Sequence, residues 1–442
     1  MSLKKVLALM TAFVMVFGVL AGCGANSGNA SGESGQSTTE SGKVAAATTK
    51  ESNQANQKLT FWTLQQADIN IEEAQTSAVK GFETKNNCTV EVTAFPYIEL
   101  QDKMLTAVAG GQGPDLLLLD QIWVPQYAAA KFVMPIDDRL ANSSIKADDY
   151  FPGAWGAGSY QGKTYGIPFD VGVWALLYYN KTMFKEAGLD PEAPPKTWDE
   201  FLTIGKQLTK DGKYGTAIWV GAGDAVQCMV DAFTFSLGGK IVDDSGKKAQ
   251  LNSDAGIKAL EFWKACGEIS PPGTVGRTEE DSFKLFTSRQ VAMFFYGEWG
   301  QDTINSRAPD MDYGMALLPA SATGQSIGTF GGFNIGINEK SGNKDLAWKF
   351  IEYATSKDVN KDITMLTPAH KEAAKEYLKQ RRKFDDVIYQ QLTTASYRPS
   401  VPNYPEIAEV QRIATQKALL GEASVKDALD EAAKDIDALL NK

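Results

Sequence analysis

Between Asp115 and Asp120 stand four consecutive leucines, Leu116 to Leu119. A run that is apolar at every position has no face left for water, so it has to be covered on both sides. That suits a central parallel strand with helices packed above and below it. The text around it agrees. Leu59-Thr-Phe-Trp-Thr63 reads as a first strand, a helical stretch ends near Phe82, and the alternation in Thr89-Val-Glu-Val-Thr93 reads as a second strand. Leu100 to Val108 has helical spacing, and Gly110-Gly111-Gln112-Gly113-Pro114 breaks it just before the leucines. Strands and helices go on alternating, which places the chain in the α/β class. At 442 residues it has room for two or three domains. No internal repeat is visible.

The first 57 residues read differently. Met1 to Lys5 carry two lysines and Val6 to Ala21 are apolar except at Thr11 and Gly18, the layout of a signal peptide over residues 1–22. The stretch is at the short end for a bilayer-spanning helix, and it closes on Leu20-Ala21-Gly22-Cys23, which resembles the bacterial lipobox. That resemblance implies cleavage before Cys23 and lipid attachment to its sulfur. Residues 23–57, rich in Gly, Ser, Ala, Thr, Asn and Gln and devoid of aromatics, then read as a flexible tether. Cys88, Cys228 and Cys266 remain, an odd and widely spaced set that offers no disulfide framework.

Composition excludes several kinds of chemistry. With 44 Lys+Arg against 54 Asp+Glu the net charge is −10, so the chain lacks the basic footprint a phosphate backbone requires. Nucleic acid is not an expected partner. His370 is the sole histidine, which rules out multi-histidine zinc sites and leaves one imidazole for general base work. Gly158-Ser-Tyr-Gln-Gly162-Lys163-Thr164 resembles a phosphate loop with one residue too few between its glycines. Gly324-Gln-Ser326-Ile-Gly328 has the spacing of a nucleophile elbow, but glycine-rich loop text follows where a helix is needed. A glycosidase stays open as the enzymatic alternative, because it needs only two carboxylates flanking a sugar, and Asp120 and Asp170 stand at strand ends.

From Tyr165 onward the motifs become specific. Gly166-Ile-Pro-Phe-Asp170-Val-Gly-Val-Trp174 leads to Asn180 and a helix stopped by Gly188; Thr197-Trp198-Asp199-Glu200 is a capping box. With Gly297-Glu-Trp299-Gly, Thr329-Phe-Gly-Gly-Phe-Asn334 and Arg398-Pro-Ser-Val-Pro402-Asn-Tyr404, the chain resembles the extracellular solute-binding proteins of sugar ABC transporters, the maltose-binding-protein-like family. The resemblance implies a two-lobe periplasmic-binding-protein-like fold, each lobe a sheet flanked by helices, with the ligand cleft between lobes. The expected division is 58–168 plus 328–370 for the N-terminal lobe and 169–327 plus 371–442 for the C-terminal lobe. Crossings are expected near Pro168 to Gly172, Gly324 to Phe330 and Leu366 to Lys371.

A pyranose presents an apolar C–H face and a rim of hydroxyls, so its binder needs flat rings beside acceptors and donors. Trp62, Trp123, Trp174, Trp219 and Trp299 are the candidate rings. Trp299 leads them, because Gly297 and Gly300 leave little around it to pack. Asp120, with Gln121 beside it, ends the leucine strand where α/β sheets present ligands. Asp170, Arg398 and the Gly332-Phe333 backbone complete the set, although Gly331-Gly332 equally suits a tight crossing strand. Trp263, Trp348, Phe350 and Tyr353 lie on amphipathic helices and are expected in the core. Taken with the resemblance, these residues imply a monomeric, lipid-anchored, extracytoplasmic receptor. It would pass a carbohydrate to an ABC permease with no cofactor and no chemistry of its own. A lipid-anchored glycoside hydrolase is the alternative, and a surface lipoprotein without a small ligand is a third.

Overall fold

The computed structural model describes residues 57–65, 72–221, 225–321, 323–364 and 366–442. The signal-peptide, lipidation and tether expectations lie outside the described residues. Among the described residues eleven strands follow one another: β1 (Gln57–Leu64), β2 (Cys88–Phe95), β3 (Leu116–Asp120), β4 (Ser159–Tyr160), β5 (Lys163–Thr164), β6 (Ile167–Trp174), β7 (Leu176–Asn180), β8 (Met293–Tyr296), β9 (Tyr313–Ala316), β10 (Thr329–Ile337) and β11 (Thr367–Pro368). They build a six-stranded sheet in the order β11-β6-β10-β3-β1-β2 and a three-stranded sheet in the order β8-β7-β9, with β4 and β5 as a separate hairpin.

Leu116 to Leu119 are all fully buried, so the leucine strand is covered on both faces as its composition requires. It is parallel to β1 on one side only. On the other side β10 runs antiparallel, pairing Phe333 with Asp120 and Ile337 with Leu116. The sheet is therefore mixed, because β10 arrives from the other sheet and not through a crossover helix from β3.

The chain passes between the two sheets at two places. Between β6 and β7 only Ala175 intervenes, held at φ +71°, a left-handed conformation that costs a non-glycine residue roughly 1 kcal/mol. This crossing lies beyond the expected Pro168 to Gly172, because β6 stays paired with β10 as far as Trp174. A lobe boundary drawn between residues 168 and 169 falls inside β6. The second crossing runs from the end of β9 at Ala316 to the start of β10 at Thr329. Near the third expected site, Thr367 and Pro368 pair with Val171 and Asp170 before the helix Lys371–Arg381 begins, and only helices follow among the described residues.

Local signals place the helices. Thr197 accepts from the Glu200 amide at 3.2 Å, starting the helix Trp198–Leu208. The Glu200 carboxylate reaches one residue further back than in a strict capping box, to the Lys196 amide at 2.6 Å. Ser424 caps Val425–Leu440, which buries Val425, Ala428, Leu429, Ala432 and Ile436. Trp263, Trp348 and Phe350 are buried, each worth about 2 to 3 kcal/mol of transfer free energy. Tyr353 is half-buried and donates to the Ala78 carbonyl at 2.9 Å. Cys88, Cys228 and Cys266 are buried, and no disulfide joins them among the described residues.

Both misleading motifs resolve into turns. Gln161 and Gly162, at φ +48° and +75°, form the two-residue turn of the β4–β5 hairpin, so no helix follows to cradle phosphate. Ser326 lies in the loop before β10, with its hydroxyl donating to Gln391 Oε1 at 3.3 Å. His370 stands instead at the start of Lys371–Arg381 against the Tyr150 ring.

Candidate functional site

The C-terminal end of β3, the middle of β10 and the end of β6 bring one group together. Phe333 is the register partner of Asp120 on one side and of Asp170 on the other. Its amide donates to Asp170 Oδ1 at 3.0 Å, and a β-bulge follows at Phe333/Asn334. Gln121 is fixed to the same strand, its amide donating to the Gly332 carbonyl at 3.2 Å and its side chain to the Phe330 carbonyl. Gly332 takes φ +113°, and a Cβ there would meet the Asp170 carbonyl oxygen at 2.5 Å. Close strand approach therefore accounts for this glycine.

Asp120 is buried and well supplied with donors. Tyr97 Oη donates to Oδ2 at 3.1 Å, the Ile122 amide to Oδ1 at 3.1 Å, and Arg398 Nη2 stands 3.4 Å from Oδ1. Arg398 is buried too, its guanidinium 5.6 Å from the centre of the Tyr404 ring. Tyr404 in turn donates to Asp231 at 3.4 Å, and Gln411 donates to the same carboxylate at 3.0 Å. The final motif read in the sequence, Arg398 to Tyr404, thus leads from the end of the leucine strand into the interior of the helices. Paired with a carboxylate, the guanidinium presents donors with little net charge, a combination suited to hydroxyl-rich ligands.

Four residues beyond Asp170, Trp174 meets Trp299 edge to face, ring centres 4.6 Å apart, and Tyr296 stands 5.7 Å from Trp299. Both tryptophans are only partly buried. The glycines around them act differently from the sequence expectation. A Cβ at Gly297 would lie 2.2 Å from the Trp299 ring, one at Gly172 would lie 3.2 Å from it, and one at Gly331 would lie 3.2 Å from Trp174 Nε1. The rings occupy the space that side chains would need. Trp299 is therefore packed flat over glycine backbone, with small residues serving as its seat.

Three candidates stand apart from this group. Trp219 is 2% exposed, packed on Trp263 at 5.4 Å and Phe294 at 5.3 Å, and so belongs to the core beside the three-stranded sheet. Trp123 has no exposed surface; it stacks under Tyr97 at 5.3 Å and supports that ring from below. Trp62 packs on Phe95 and is the register partner of Leu117. Since side chains alternate across a strand, it faces the side of the sheet opposite to Asp120.

Sequence reasoning missed Tyr97, Tyr296 and Glu298. Tyr97 could have been found from Pro96, which marks the strand-to-helix turn beside the end of the leucine strand. Glu298 is fully buried, and burial pushes its carboxyl up to about 7. Among the described residues no group of three or more His, Cys, Asp and Glu is placed to hold a metal ion, and no helix is long and apolar enough to cross a membrane.

Comparison with known proteins fits this geometry. Residues 68–361 match the family model described as bacterial extracellular solute-binding protein. A putative binding protein of Brucella abortus is 27% identical over 379 residues, which span 82% of this chain and 89% of that one. The maltotriose-binding protein of Pyrococcus abyssi is 26% identical over 368 residues, 80% of this chain and 74% of that one. Among solved structures, an ABC transporter solute-binding protein from Thermotoga lettingae bound with α-D-tagatose superposes with a TM-score of 0.75. It is 31% identical and covers 87% of this chain and all of its own. The two sheets, the passages between them and the matched length lead to one conclusion: this chain belongs to the bacterial extracellular solute-binding protein family, with the two-lobe fold of periplasmic binding proteins.

Proposed function

We propose that this protein is the receptor of an ABC importer, capturing a carbohydrate outside the membrane and delivering it to the permease by closing one lobe on the other. The observation that carries the reading is the partly exposed Trp174–Trp299 pair packed over glycine-lined strands of the sheet that also carries the Asp120–Arg398 pair. Flat rings take the C–H face of a sugar, while carboxylate and guanidinium take its hydroxyls. The maltotriose- and tagatose-binding relatives support the same ligand class. The site serves binding and not hydrolysis: Asp120 accepts from Tyr97 and Ile122, and Asp170 accepts from the Phe333 amide, so both are held as acceptors. A general acid needs a carboxyl free to deliver a proton to a leaving group.

Thermal denaturation with a panel of D-tagatose, maltose, maltotriose and mannotriose tests this. A ligand at one hundred times its dissociation constant raises stability by about 2.7 kcal/mol, readily visible as a higher midpoint. Unmoved midpoints with every sugar would sink the carbohydrate reading, and recovery of shortened sugars after incubation would favour the hydrolase.

Anchoring belongs to the same proposal: the protein is held at the outer face of the cell membrane by lipid on Cys23, working there as a monomer. Cys23→Ser is expected to abolish incorporation of a labelled fatty acid and release the protein from the membrane fraction. Label retained by the serine variant rejects the anchor.

A further inference from the structure

Glu298 has no part in the sugar contacts proposed above, yet in the sequence it stands between Gly297 and Trp299. Its side chain is fully buried. Oε1 accepts from the Thr367 hydroxyl at 2.6 Å and from the Thr367 amide at 3.3 Å, while buried Oε2 has no partner. Thr367 belongs to β11, the edge strand of the six-stranded sheet, whereas Glu298 follows β8 of the other sheet. The backbone is clamped as well. The Glu298 amide donates to the Val173 carbonyl at 3.1 Å, and Tyr178 Oη donates to the Gly297 carbonyl at 2.8 Å.

We infer that Glu298 is a positioning residue that latches the Trp299 loop to Thr367 of β11, and that its ionisation, although it strengthens the Thr367 bonds, leaves a buried charge on Oε2 that loosens the seat of the Trp299 loop. The inference rests on the carbohydrate-binding reading only where it concerns affinity. As a carboxylic acid, Glu298 keeps both Thr367 bonds on Oε1 and carries no charge into a fully buried position. As a carboxylate it places charge on Oε2, where no donor waits. The groups facing it are Arg382, Asp302, Tyr178 and Tyr377. Arg382 is already bound to Asp302, on the helix Gly300–Arg307 that Trp299 begins. An ionised Glu298 competes with Asp302 for that guanidinium or draws in water, and either response pulls on the loop that seats Trp299. Burial pushes the carboxyl up to about 7, so the change falls at neutral pH.

The test uses tryptophan fluorescence and near-ultraviolet circular dichroism of the ligand-free protein across roughly pH 5.5 to 8.5, in a His370→Gln background that silences the sole imidazole. The expected result is a one-proton transition with its midpoint near 7, absent from Glu298→Gln, which mimics the neutral form. Thr367→Val keeps the transition and moves it upward, because a hydrogen bond that favours the carboxylate is lost. A flat profile, or a transition surviving in Glu298→Gln, overturns the inference. For ligand binding, calorimetry with maltotriose is expected to show affinity about threefold or more weaker at pH 8 than at pH 6, with Glu298→Gln the same at both. Equal pH dependence in both proteins also overturns it. If no panel sugar binds at either pH, the carbohydrate reading fails while the spectroscopic titration still decides the latch.

Discussion

Trp299→Ala is expected to weaken binding of the best sugar from the panel by about thirtyfold, roughly 2 kcal/mol or more, the loss typical of truncating a central aromatic in an interface. The indole contributes a face to the ligand and holds Trp174 edge-on at 4.6 Å, so its removal takes one ring away and frees the other to rotate. The fold should survive, because Trp299 is only partly buried and lies over the backbone of Gly172 and Gly297. Calorimetric titration measures the affinity, and small-angle scattering with and without sugar reports whether closure persists. A ligand that bridges the lobes favours the closed state only by its differential affinity for it, so a weaker bridge means less ligand-driven compaction. Parent-like affinity in a cooperatively folded Trp299→Ala protein removes the ring from the site.

Arg398→Met is expected to lower unfolding stability by about 3 kcal/mol, the low end of the penalty for leaving one member of a buried ion pair without the other. Asp120 and Arg398 are each 5% exposed, and the carboxylate keeps the Tyr97 hydroxyl and the Ile122 amide as donors, which softens the loss. Adding Asp120→Asn should recover much of the deficit, since the uncompensated charge is then gone. Urea denaturation of the two single variants and the double variant gives the coupling directly. Additive losses would mean that the 3.4 Å approach contributes nothing to the folded state.

Local signals carried much of this structure. The leucine strand and the cap at Thr197 are each decided by neighbouring residues, and each formed where the sequence places it. What could not be read depends on distant pairing. Nothing near Leu116 to Leu119 reveals that β10 docks antiparallel beside them, because its residues come more than two hundred positions later. The first crossing was expected too early for the same reason: β6 is extended to Trp174 by its pairing with Thr329. Tryptophan identity was equally insufficient. Trp174 and Trp219 both follow β-rich text, yet one meets a glycine strand and the other meets Trp263 and Phe294. Glu298 was one carboxylate among 54, and its partner Thr367 lies 69 residues away.

The place of β10 between β6 and β3 also governs how the protein comes into being. During synthesis Asp120 and Phe333 emerge far apart in time. At roughly 5 to 20 residues per second, on the order of ten to forty seconds separate the leucine strand from the strand that covers its edge. Through that interval β1, β2 and β3 can assemble while β3 exposes an apolar, unpaired edge, the kind of surface on which nascent chains adhere to one another. The six-stranded sheet cannot close until Ile337 has left the ribosome. A chaperone holding the nascent chain until then protects a strand whose native neighbour does not yet exist.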